Sequence, residues 1–543
     1  MEKHTLQNIT CFFLKKVNDL IINELQSAFL RKKPFTHPKA ITLTKKSAIL
    51  SYKFMKKAGV IGAGIAGMAS AIHLARKGFQ VHVFEQAPTY GGKLGVSQIE
   101  KYRFDLGPSL FTMPHFVYDL LDDELLNTFE VNRLDTLCHY FFDHRENPFI
   151  AKAQIDNFIS DAAHYFNENP KKIRQFLDHA KKVYDITAPV FLENSLHKIS
   201  TYTSKTGLTG IANLWRINMF NTMNGALEKQ FDNADLIQLF NRYATYNGSN
   251  PYQAPATLNV IPHLEFFYGA YLPKKGMRHI ADVIYQQALK LGVTFHFNKG
   301  VNGAELDTKN NISALCTPDG QQHPVNVCIA NIDVKLLYKN ILKKPVPQRI
   351  EKAENSSSAL ILYWGIKQKF PQLDVHNILF SNNYPEEFDA IFTRKTLQKD
   401  PTVYINITSK EIPTDAPDYG ENWFVMINAA HDTGQYTPEY LQNVRHRIIE
   451  KINRALNVDI ESLIEVEDIL YPVTIASRTG SDKGSLYGSS SNDRMSAFFR
   501  QANFSSQHKN LYFCGGSVHP GGGIPLCLLG AGILNKIIPD ANH

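Results

Sequence analysis

The alternation of apolar and polar positions predicts a strand, a helix and a second strand in succession near residue 60. A short apolar run ends at Ile61, helical spacing follows through Ala69 and Ile72, and a second apolar run covers Gln80 to Phe84. Short apolar runs bounded by turn residues are typical of buried strands, and a spacing of three or four is typical of a helix. The pattern therefore predicts a β-α-β unit, in which a helix joins two parallel strands.

The same kind of pattern returns later in the chain. Gly276 to Val301 predicts an amphipathic helix followed by a strand, and Val325 to Asp333 predicts a further strand with a polar exit. The intervening stretches, 116–264 and 336–470, combine helical patterns with mixed strands. One of those strands, Ser358 to Gly365, suits a sheet that is buried on one face.

Three glycines separate the first strand from the first helix in the spacing G-x-G-x-x-G: Gly62, Gly64 and Gly67. The first allows a tight turn, the second lets the backbone approach a pyrophosphate, and the third lets the helix pack close to the strand. The phosphates would then lie at the N-terminus of the helix. Glu85 ends the second strand, 18 residues after Gly67. Because a carboxylate there can accept both ribose hydroxyls of an adenosine, the pattern indicates a dinucleotide site and not a chance glycine turn.

A second glycine pair favours FAD over a nicotinamide cofactor. Gly91, Gly92 and Lys93 follow Glu85 closely, and the segment FDLGPSLFTMP begins at Phe104. A nicotinamide enzyme has no need of this pair. The order of these motifs resembles the flavoproteins of the glutathione-reductase and amine-oxidase type, in which such a pair lies where the chain crosses the diphosphate and the ribityl chain. FAD is therefore the expected cofactor.

This resemblance implies an α/β fold with a Rossmann-like FAD-binding domain that is discontinuous in sequence. We expect that domain to comprise 55–115, 265–335 and 471–543, with the strand around Val301 presenting its backbone to the adenine. The remaining stretches, 116–264 and 336–470, are expected to form an inserted α+β substrate domain that faces the membrane.

The C-terminal segment predicts a site for the flavin ring. A strand covers Leu511 to Cys514, a loop ends in the glycines 521–523, and an apolar helix follows with Pro525 in its first turn, where the missing N–H is tolerated. Bare backbone amides can face a flat ring, and the positive end of the helix dipole stabilises negative charge at the N1 and O2 edge of a reduced flavin. The predicted ligands here are Gly515, Gly516, Gly522, Gly523 and Ile524.

His519 lies in the same loop and is the single candidate for a catalytic base. A structural histidine that holds the loop is an equally good interpretation. No Ser/His/Asp constellation or carboxylate pair can be placed from the sequence. When a flavin accepts a hydride, the protein chiefly positions the substrate and excludes water, so the catalytic residues stay unassigned.

The length of the chain predicts its number of domains, and its charge distribution excludes one class of partner. The 543 residues suit two domains. The net charge of +7 belongs to residues 1–54, which contain ten Lys or Arg against three Asp or Glu. The rest of the chain is neutral, which argues against nucleic-acid binding. We interpret 1–54 as a basic leader outside the fold, with Met55 as the initiator; a targeting segment is the alternative.

The cysteine spacing predicts the redox compartment of the protein, and its hydropathy predicts how it associates with a membrane. The six cysteines show no C-x-x-C or metal-ligand spacing, which predicts a reducing compartment without disulfides or a metal site. No uncharged apolar run reaches the roughly 18 residues that span a bilayer. Apolar residues between Leu208 and Met223 follow helical spacing, which suits either a core helix or a helix at a membrane surface. We expect a cytoplasmic protein that associates peripherally with a membrane.

Several segments together resemble the bacterial carotenoid desaturases of the phytoene-desaturase family: GAGIAG from Gly62, FEQAPTYGGKL from Phe84, FDLGPSLFTMP from Phe104, RYATYNGSNPYQAP from Arg242 and GGSVHPGGGIPLCLLGAGI from Gly515. The likeness covers 55–543, and two of these segments are more similar to the desaturases that act on 1-hydroxycarotenoids at the 3,4 bond. The resemblance implies that FAD takes a hydride from a polyene while the adjacent carbon loses a proton. It also implies oxygen or a membrane quinone as electron acceptor.

Other functions stay open. A phytoene desaturase differs only in its substrate. A flavin amine oxidase or protoporphyrinogen oxidase shares the N-terminal motifs, and a saturase of the retinol type reverses the net redox direction. A lipid escort of the GDP-dissociation-inhibitor type retains the fold without a flavin, and the intact glycine motifs argue against it.

Overall fold

A computed structural model describes residues 55–212, 221–493 and 500–542 of the chain. The predicted leader, 1–54, lies outside the described residues. The middle of the apolar stripe between Leu208 and Met223 also lies outside them.

The strands follow in chain order: β1 (Lys57–Ile61), β2 (Gln80–Phe84), β3 (Val96–Ile99), β4 (Tyr102–Asp105), β5 (Val131–Arg133), β6 (Thr136–Phe141), β7 (Phe149–Lys152), β8 (Tyr271–Pro273), β9 (Thr294–His296), β10 (Gly303–Leu306), β11 (Ile312–Cys316), β12 (Gln322–Pro324), β13 (Val327–Ala330), β14 (Ser358–Ile366), β15 (His376–Leu379), β16 (Val403–Asn406), β17 (Glu421–Ala429), β18 (Ile464–Leu470) and β19 (Leu511–Phe513).

The α-helices follow in the same way: α1 (Ile65–Arg76), α2 (His115–Tyr118), α3 (Asp123–Leu126), α4 (Ile155–Phe166), α5 (Pro170–Phe191), α6 (Ile199–Thr203), α7 (Lys205–Ala212), α8 (Met223–Gln230), α9 (Ala234–Asn241), α10 (Ile261–His263), α11 (Arg278–Lys290), α12 (Val334–Leu336), α13 (Gln348–Glu351), α14 (Tyr384–Asp389), α15 (Pro438–Leu456), α16 (Pro472–Thr479) and α17 (Ile524–Ile537).

The first sheet confirms the predicted β-α-β unit. Within the described ranges it contains five parallel strands in the order β19, β13, β1, β2, β9. β1 lies in the middle, where Ile61 pairs with Phe84 of β2 on one side and Ala330 of β13 on the other. The carboxyl ends of these strands therefore meet at one edge, where the strand order changes direction. Such an edge is the usual ligand site of a parallel sheet.

Two helices lie close to one another beside this sheet. α1 buries Ala66, Met68 and Ile72, and α17 packs against it with Ala531 and Leu534 in the same core cluster. A helix that is apolar on most sides is stable only inside a core. The packing of α17 on α1 meets that requirement. Lys77 after α1 donates from Nζ to the carbonyl of Ile538 after α17, so the two helices end together and run in the same direction.

The second sheet contains seven strands among the described residues, in the order β18, β14, β17, β16, β15, β6, β7. The β15–β6 pair is parallel and the other pairs are antiparallel. The expectation that Ser358 to Gly365 is buried on one face is wrong, because all of β14 is buried. Leu360 and Trp364 face one core cluster, and Ile361 and Tyr363 face another. An apolar run without alternation is typical of a strand covered on both faces.

The two sheets draw on the ranges assigned to the two predicted domains. The strands of the first sheet come from 55–115, 265–335 and 471–543, and those of the second from 116–264 and 336–470. The exact domain boundaries stay a prediction.

The prediction of one continuous helix from Leu208 to Met223 is wrong at its end. Met223 begins a separate helix, α8, whose N-cap is Thr222 in an extended conformation with its side chain accepting a hydrogen bond from the Gly225 amide. Met223 is fully buried, whereas Leu208 on α7 is 59% exposed. The two ends of the stripe therefore have different environments.

Candidate active site

The first glycine motif forms the turn between β1 and α1. Gly62 has a φ of +95°, and its amide donates a 2.8 Å hydrogen bond to the Phe84 carbonyl. A Cβ on Gly67 would lie 2.2 Å from the Gly62 carbonyl oxygen, so only glycine permits this approach of helix and strand. Gly64 is the N-cap of α1. The first amides of a helix have no partner within the helix, which leaves them available to an anion.

Glu85 lies directly after β2, at the edge where the turn is formed. One carboxylate oxygen accepts a 2.7 Å hydrogen bond from the Ala63 amide, and the other accepts a 2.9 Å hydrogen bond from the Ala87 amide. These bonds fix the orientation of the side chain. Each carboxylate oxygen keeps a further acceptor position, so the same group can still receive a ribose hydroxyl.

Val301 lies near Glu85 but not on a strand, which corrects the sequence-based expectation. β9 ends at His296, and residues 297–302 connect it to β10. In this connection the Lys299 amide donates to the Glu85 carbonyl at 2.9 Å, and Val301 packs against a core cluster. Hydrophobic periodicity located the element correctly, but three-residue strands leave too little pattern to fix where they end.

The second glycine pair packs directly on the first motif. The Gly91 amide donates to the Ala63 carbonyl at 2.9 Å, and a Cβ on Gly92 would lie 3.2 Å from the Gly64 Cα. Lys93 follows and donates from Nζ to the Leu486 carbonyl at 2.6 Å. Burial lowers the pKa of Lys93 below its ordinary value.

The C-terminal glycines lie at the start of α17. Gly521 and Gly523 have φ values of +144° and +101°, and Ile524 is the first helical residue. A Cβ on Gly516 would lie 3.4 Å from the Gly522 Cα, so the glycine pair and the glycine loop touch. A Cβ on Gly523 would meet no atom within 4 Å, which leaves its backbone open on that side.

Asn331 connects the two glycine regions, and its only signal in the sequence was the polar exit from β13. Its Nδ2 donates to the Gly62 carbonyl at 3.3 Å. A Cβ on Gly64 would lie 2.9 Å from this Nδ2, and a Cβ on Gly515 would lie 2.7 Å from the Asn331 Oδ1. The amide therefore fills the space between the N-terminal turn and the C-terminal loop.

His519 is held by the chain around it. It is 2% exposed, and its Nε2 lies 3.0 Å from the Asn194 carbonyl oxygen. Burial lowers the pKa of His519 to about 3. A neutral imidazole that donates to a backbone carbonyl favours the structural interpretation of this residue over the catalytic one.

A cavity of about 520 Å³ begins at the glycine motifs and extends to the second sheet. Gly92, Lys93, Gly522, Gly523 and Ile524 line it on the side of the first sheet. Apolar side chains form most of the remaining wall, among them Leu106, Leu264, Ile361, Ile378, Phe424 and Met426. The predicted cofactor residues and a largely apolar chamber are thus continuous.

The segment RYATYN forms a short 3₁₀ helix, Arg242–Asn247, that supplies a buried ion pair to the cavity wall. Arg242 donates to Glu265 at 3.1 Å, to the Tyr140 hydroxyl at 2.6 Å and to the Tyr246 hydroxyl at 2.8 Å. Tyr243 donates to Glu265 at 2.6 Å. Because the charged groups of the pair are bonded to each other and to tyrosine hydroxyls, the cluster is a rigid part of the wall.

These residues fit a flavin dinucleotide. The positions that a diphosphate and a flat ring would approach are glycines, and side chains at Gly62, Gly64 and Gly67 would collide with the chain itself. Glu85 and the start of α1 would hold the adenosine and the phosphates, and the start of α17 would hold the ring.

Comparison with known proteins places the chain in a family. Residues 65–402 match the model of the flavin-containing amine oxidoreductases. The chain belongs to this family. It is therefore a flavin-containing oxidoreductase, and its fold is the α/β fold expected from the sequence.

Relatives of this oxidoreductase include carotenoid enzymes. The chain is 47% identical to a 1-hydroxycarotenoid 3,4-desaturase of a Flavobacterium species, over 90% of this chain and 100% of the relative. It is 30% identical to a 4,4'-diaponeurosporene oxygenase of Staphylococcus haemolyticus, over 89% of this chain and 97% of the relative. The resemblance to carotenoid desaturases is thereby confirmed.

A solved structure shares the fold at low identity. Cyclohexylamine oxidase from Brevibacterium oxydans superposes with a TM-score of 0.55 and 13% identity, covering 90% of this chain and 98% of the other. This likeness supports the architecture alone.

Metal ligands, cysteines and apolar helices can be surveyed only in the parts of the chain that the structure covers. No described group of His, Cys, Asp and Glu side chains is arranged to hold a metal ion, and the five described cysteines are free. None of the described helices is both long enough and apolar enough to cross a bilayer.

Proposed function

We propose that this protein is an FAD-dependent carotenoid desaturase that introduces a double bond at the 3,4 position of a 1-hydroxycarotenoid. The apolar cavity that begins at the glycine motifs carries the proposal, together with the 47% identity to a relative of that name. Bound FAD would supply the acceptor for the hydride that leaves one carbon of the new double bond, while the neighbouring carbon releases a proton.

The chain itself has to bind the polyene and exclude water from it. Side chains such as Leu264, Ile378 and Phe424 offer the polyene an apolar wall. Each square ångström of apolar surface removed from water contributes about 25 cal/mol, so a long polyene is retained mainly by burial. Conjugation spreads positive charge that develops on the substrate, and for this reason the site does not require a strong base.

FAD, as opposed to another flavin, is supported by the adenosine half of the site. Glu85 is suited to the ribose of an adenosine, and the turn at Gly62 is suited to a diphosphate. FMN has one phosphate and no adenosine. The visible spectrum of the purified protein and chromatography of the released cofactor test this assignment. Release of FMN alone would contradict it, and the absence of any flavin band would favour a lipid escort.

Product analysis tests the substrate. The purified protein is incubated with a 1-hydroxycarotenoid and, separately, with phytoene, and the products are separated by chromatography with their absorption spectra. We expect the hydroxylated substrate to lose two hydrogens and its absorption to move to longer wavelength. Conversion of phytoene alone would make the protein a phytoene desaturase.

We further propose that the protein binds the membrane surface peripherally and passes electrons to oxygen or a membrane quinone. Leu208 supports this, because a leucine that is 59% exposed on α7 is available to lipid. Co-sedimentation with vesicles of bacterial lipid should weaken in Leu208→Ser. The matched control is Leu289→Ser. It removes a leucine that is 42% exposed on α11, in the range assigned to the FAD-binding domain. Equal binding of both variants and the wild type would remove α7 from the proposed surface.

A further inference from the structure

A hydroxyl group on the substrate restricts where its binding site can lie. In a 1-hydroxycarotenoid, C3 is separated from the hydroxyl oxygen by three bonds, so the hydroxyl stays beside the bond that reacts. Any side chain that recognises it must therefore line the cavity close to the glycine motifs. This reasoning rests on the function proposed above.

Ser109 meets this condition on the side of the first sheet. It follows Gly107, where an added Cβ would lie 1.9 Å from the Lys93 carbonyl oxygen, so its loop is pressed against the residue after the second glycine pair. The Ser109 hydroxyl lies 2.7 Å from the Tyr404 hydroxyl. Tyr404 belongs to β16, and both side chains line the cavity.

His376 determines how these hydroxyl groups are oriented. The Tyr404 hydroxyl lies 2.7 Å from its Nδ1, and the Asn406 amide nitrogen lies 3.3 Å from the same atom. Burial lowers the pKa of His376 to about 4, so the ring is neutral at pH 7. The Asn406 amide nitrogen also donates to the Val375 carbonyl at 2.9 Å, and its second hydrogen then favours Nδ1 as an acceptor that Asn406 and Tyr404 share. In this tautomer the ring proton is on Nε2, which has no hydrogen-bond partner among the described residues.

With Nδ1 as the acceptor, the hydrogen bonds of Ser109 and Tyr404 leave only lone pairs of these two oxygens open to a ligand. Tyr404 donates its proton to His376 and accepts the proton of Ser109. The Ser109 oxygen keeps two lone pairs, and the Tyr404 oxygen keeps one. These lone pairs can accept a hydrogen bond, which is what an alcohol can donate.

The Arg242–Glu265 pair is occupied by more partners, although among the described residues Glu265 Oε1 accepts only from Tyr246 and keeps an acceptor position. Glu265 already accepts from Arg242, Tyr243 and Tyr246, and Arg242 donates to three partners. A polar group in an apolar wall also carries a desolvation penalty unless it is bonded. Ser109 and Tyr404 are bonded to each other, and Tyr404 is bonded to His376, but both keep lone pairs in the cavity wall beside the loop that touches Lys93.

We propose that Ser109 and Tyr404 bind the substrate hydroxyl and so determine the preference for a hydroxylated carotenoid, with His376 as a positioning residue for Tyr404. In this proposal Ser109 and Tyr404 share the alcohol proton as acceptors, and His376 accepts the tyrosine proton and so fixes its direction.

The test compares a 1-hydroxycarotenoid with the same carotenoid without the hydroxyl. For each ligand we would measure the Kd by quenching of protein fluorescence, and kcat/KM by product analysis. Tyr404→Phe and Ser109→Ala should each reduce the preference for the hydroxylated ligand about twofold to tenfold, because the alcohol donates one neutral hydrogen bond, which these two oxygens share. Binding of the ligand without the hydroxyl should change little.

Tyr363→Phe is the matched control for the tyrosine substitution. Its buried hydroxyl has no hydrogen-bond partner in the described part of the chain, and it lies on β14 outside the cavity lining. Circular dichroism and bound flavin check that each variant is folded; Ser109→Ala provides the test if Tyr404→Phe does not fold. His376→Gln should reduce the same preference if the ring only positions Tyr404.

The outcomes separate the inference from the function on which it rests. A wild type that converts the hydroxylated substrate, with variants that keep its full preference, would overturn the hydroxyl site and leave the desaturase function intact. Equal binding of the two ligands by the wild type would also overturn the hydroxyl site and leave the desaturase function intact. A wild type that converts neither ligand would contradict the proposed function and the inference together.

Discussion

Some side chains at the edge of the first sheet contact several separate segments of the chain. Glu85 bonds to two backbone amides while facing the predicted adenosine position, and Asn331 contacts glycine motifs from both ends of the chain. A residue of this kind supports the site in two ways: it can bind the cofactor, and it holds the backbone segments that would also bind the cofactor. Its substitution should therefore affect the cofactor more than the global fold.

Glu85→Ala should weaken FAD retention while the fold stays in place. Hydrogen bonds to a charged acceptor contribute about 1.5–3 kcal/mol each, which corresponds to a tenfold to hundredfold loss of affinity. The measurement is flavin occupancy after extensive dialysis. Glu146→Ala, at an exposed position, is the control and should retain its flavin. Unchanged occupancy in Glu85→Ala would show that this residue is not the ribose ligand.

His519 should contribute to acid sensitivity. Its pKa is lowered by burial from the ordinary 6.5 to about 3, so the unfolded chain binds a proton below pH 6.5 that the folded protein excludes. Stability from this group is complete above pH 6.5 and is lost as the pH falls toward 3. Between pH 7 and 5.5, the free energy of unfolding should fall by about 1 kcal/mol less in His519→Asn than in the wild type.

The measurement for this prediction is the midpoint of urea unfolding at both pH values. His164→Gln, an exposed histidine on α4, should keep the pH dependence of the wild type. An identical pH dependence in His519→Asn and the wild type would mean that His519 is not the buried neutral group described above.

At the scale of the element, the start of α17 shows which constraint makes each glycine necessary. Gly521 and Gly523 have left-handed φ values, whereas Gly522 does not. The constraint on Gly522 is therefore not its backbone angle. What restricts that position is space, since a Cβ there would lie 2.7 Å from a ring carbon of Tyr487.

Gly522→Val should slow flavin reduction by the carotenoid more than it lowers FAD content. The added side chain would displace Tyr487 and the loop that faces the ring, while the adenosine half is held at Gly62 to Gly67 and Glu85. Stopped-flow reduction of the reconstituted protein measures the effect. Gly532→Ala lies in α17, the helix that follows this loop, at a position where an added Cβ meets nothing within 4 Å, and should reduce at the wild-type rate. A wild-type rate in Gly522→Val would remove this loop from the flavin site.

At the scale of the whole molecule, the cavity depends on both sheets. Its polar end includes Ser109 from a loop after β4 and Tyr404 from β16, which are 295 positions apart in the chain. Neither sheet alone encloses the chamber. A stable arrangement of the two sheets is thus a condition for substrate selection.

Deleting residues 1–54 should leave flavin content and activity intact. β1 begins at Lys57 and pairs on both sides, with β2 and with β13, so the described sheet is complete without the leader. Deleting residues 1–61 is the contrasting variant, because it removes the central strand and should abolish soluble protein. Loss of flavin in the shorter deletion would show that residues 1–54 contribute to the fold.

The sequence by itself determined the features that depend on local backbone chemistry. The turn at Gly62, the strand before Glu85, the helix after Ile524 and the succession of β1, α1 and β2 each follow from glycine spacing, periodicity or capping within a few residues. These rules act between neighbours, so one short segment contains all the information that they need.

Tertiary structure alone decided which distant side chains meet. Asn331, Tyr404 and His376 stand in unremarkable apolar strands or at their ends, and no local pattern distinguishes them. The two-sided burial of β14 and the break before Met223 also depend on what packs against each segment. Such contacts are fixed by the arrangement of the sheets and the close packing of their cores, and a sequence read in short windows does not contain that arrangement.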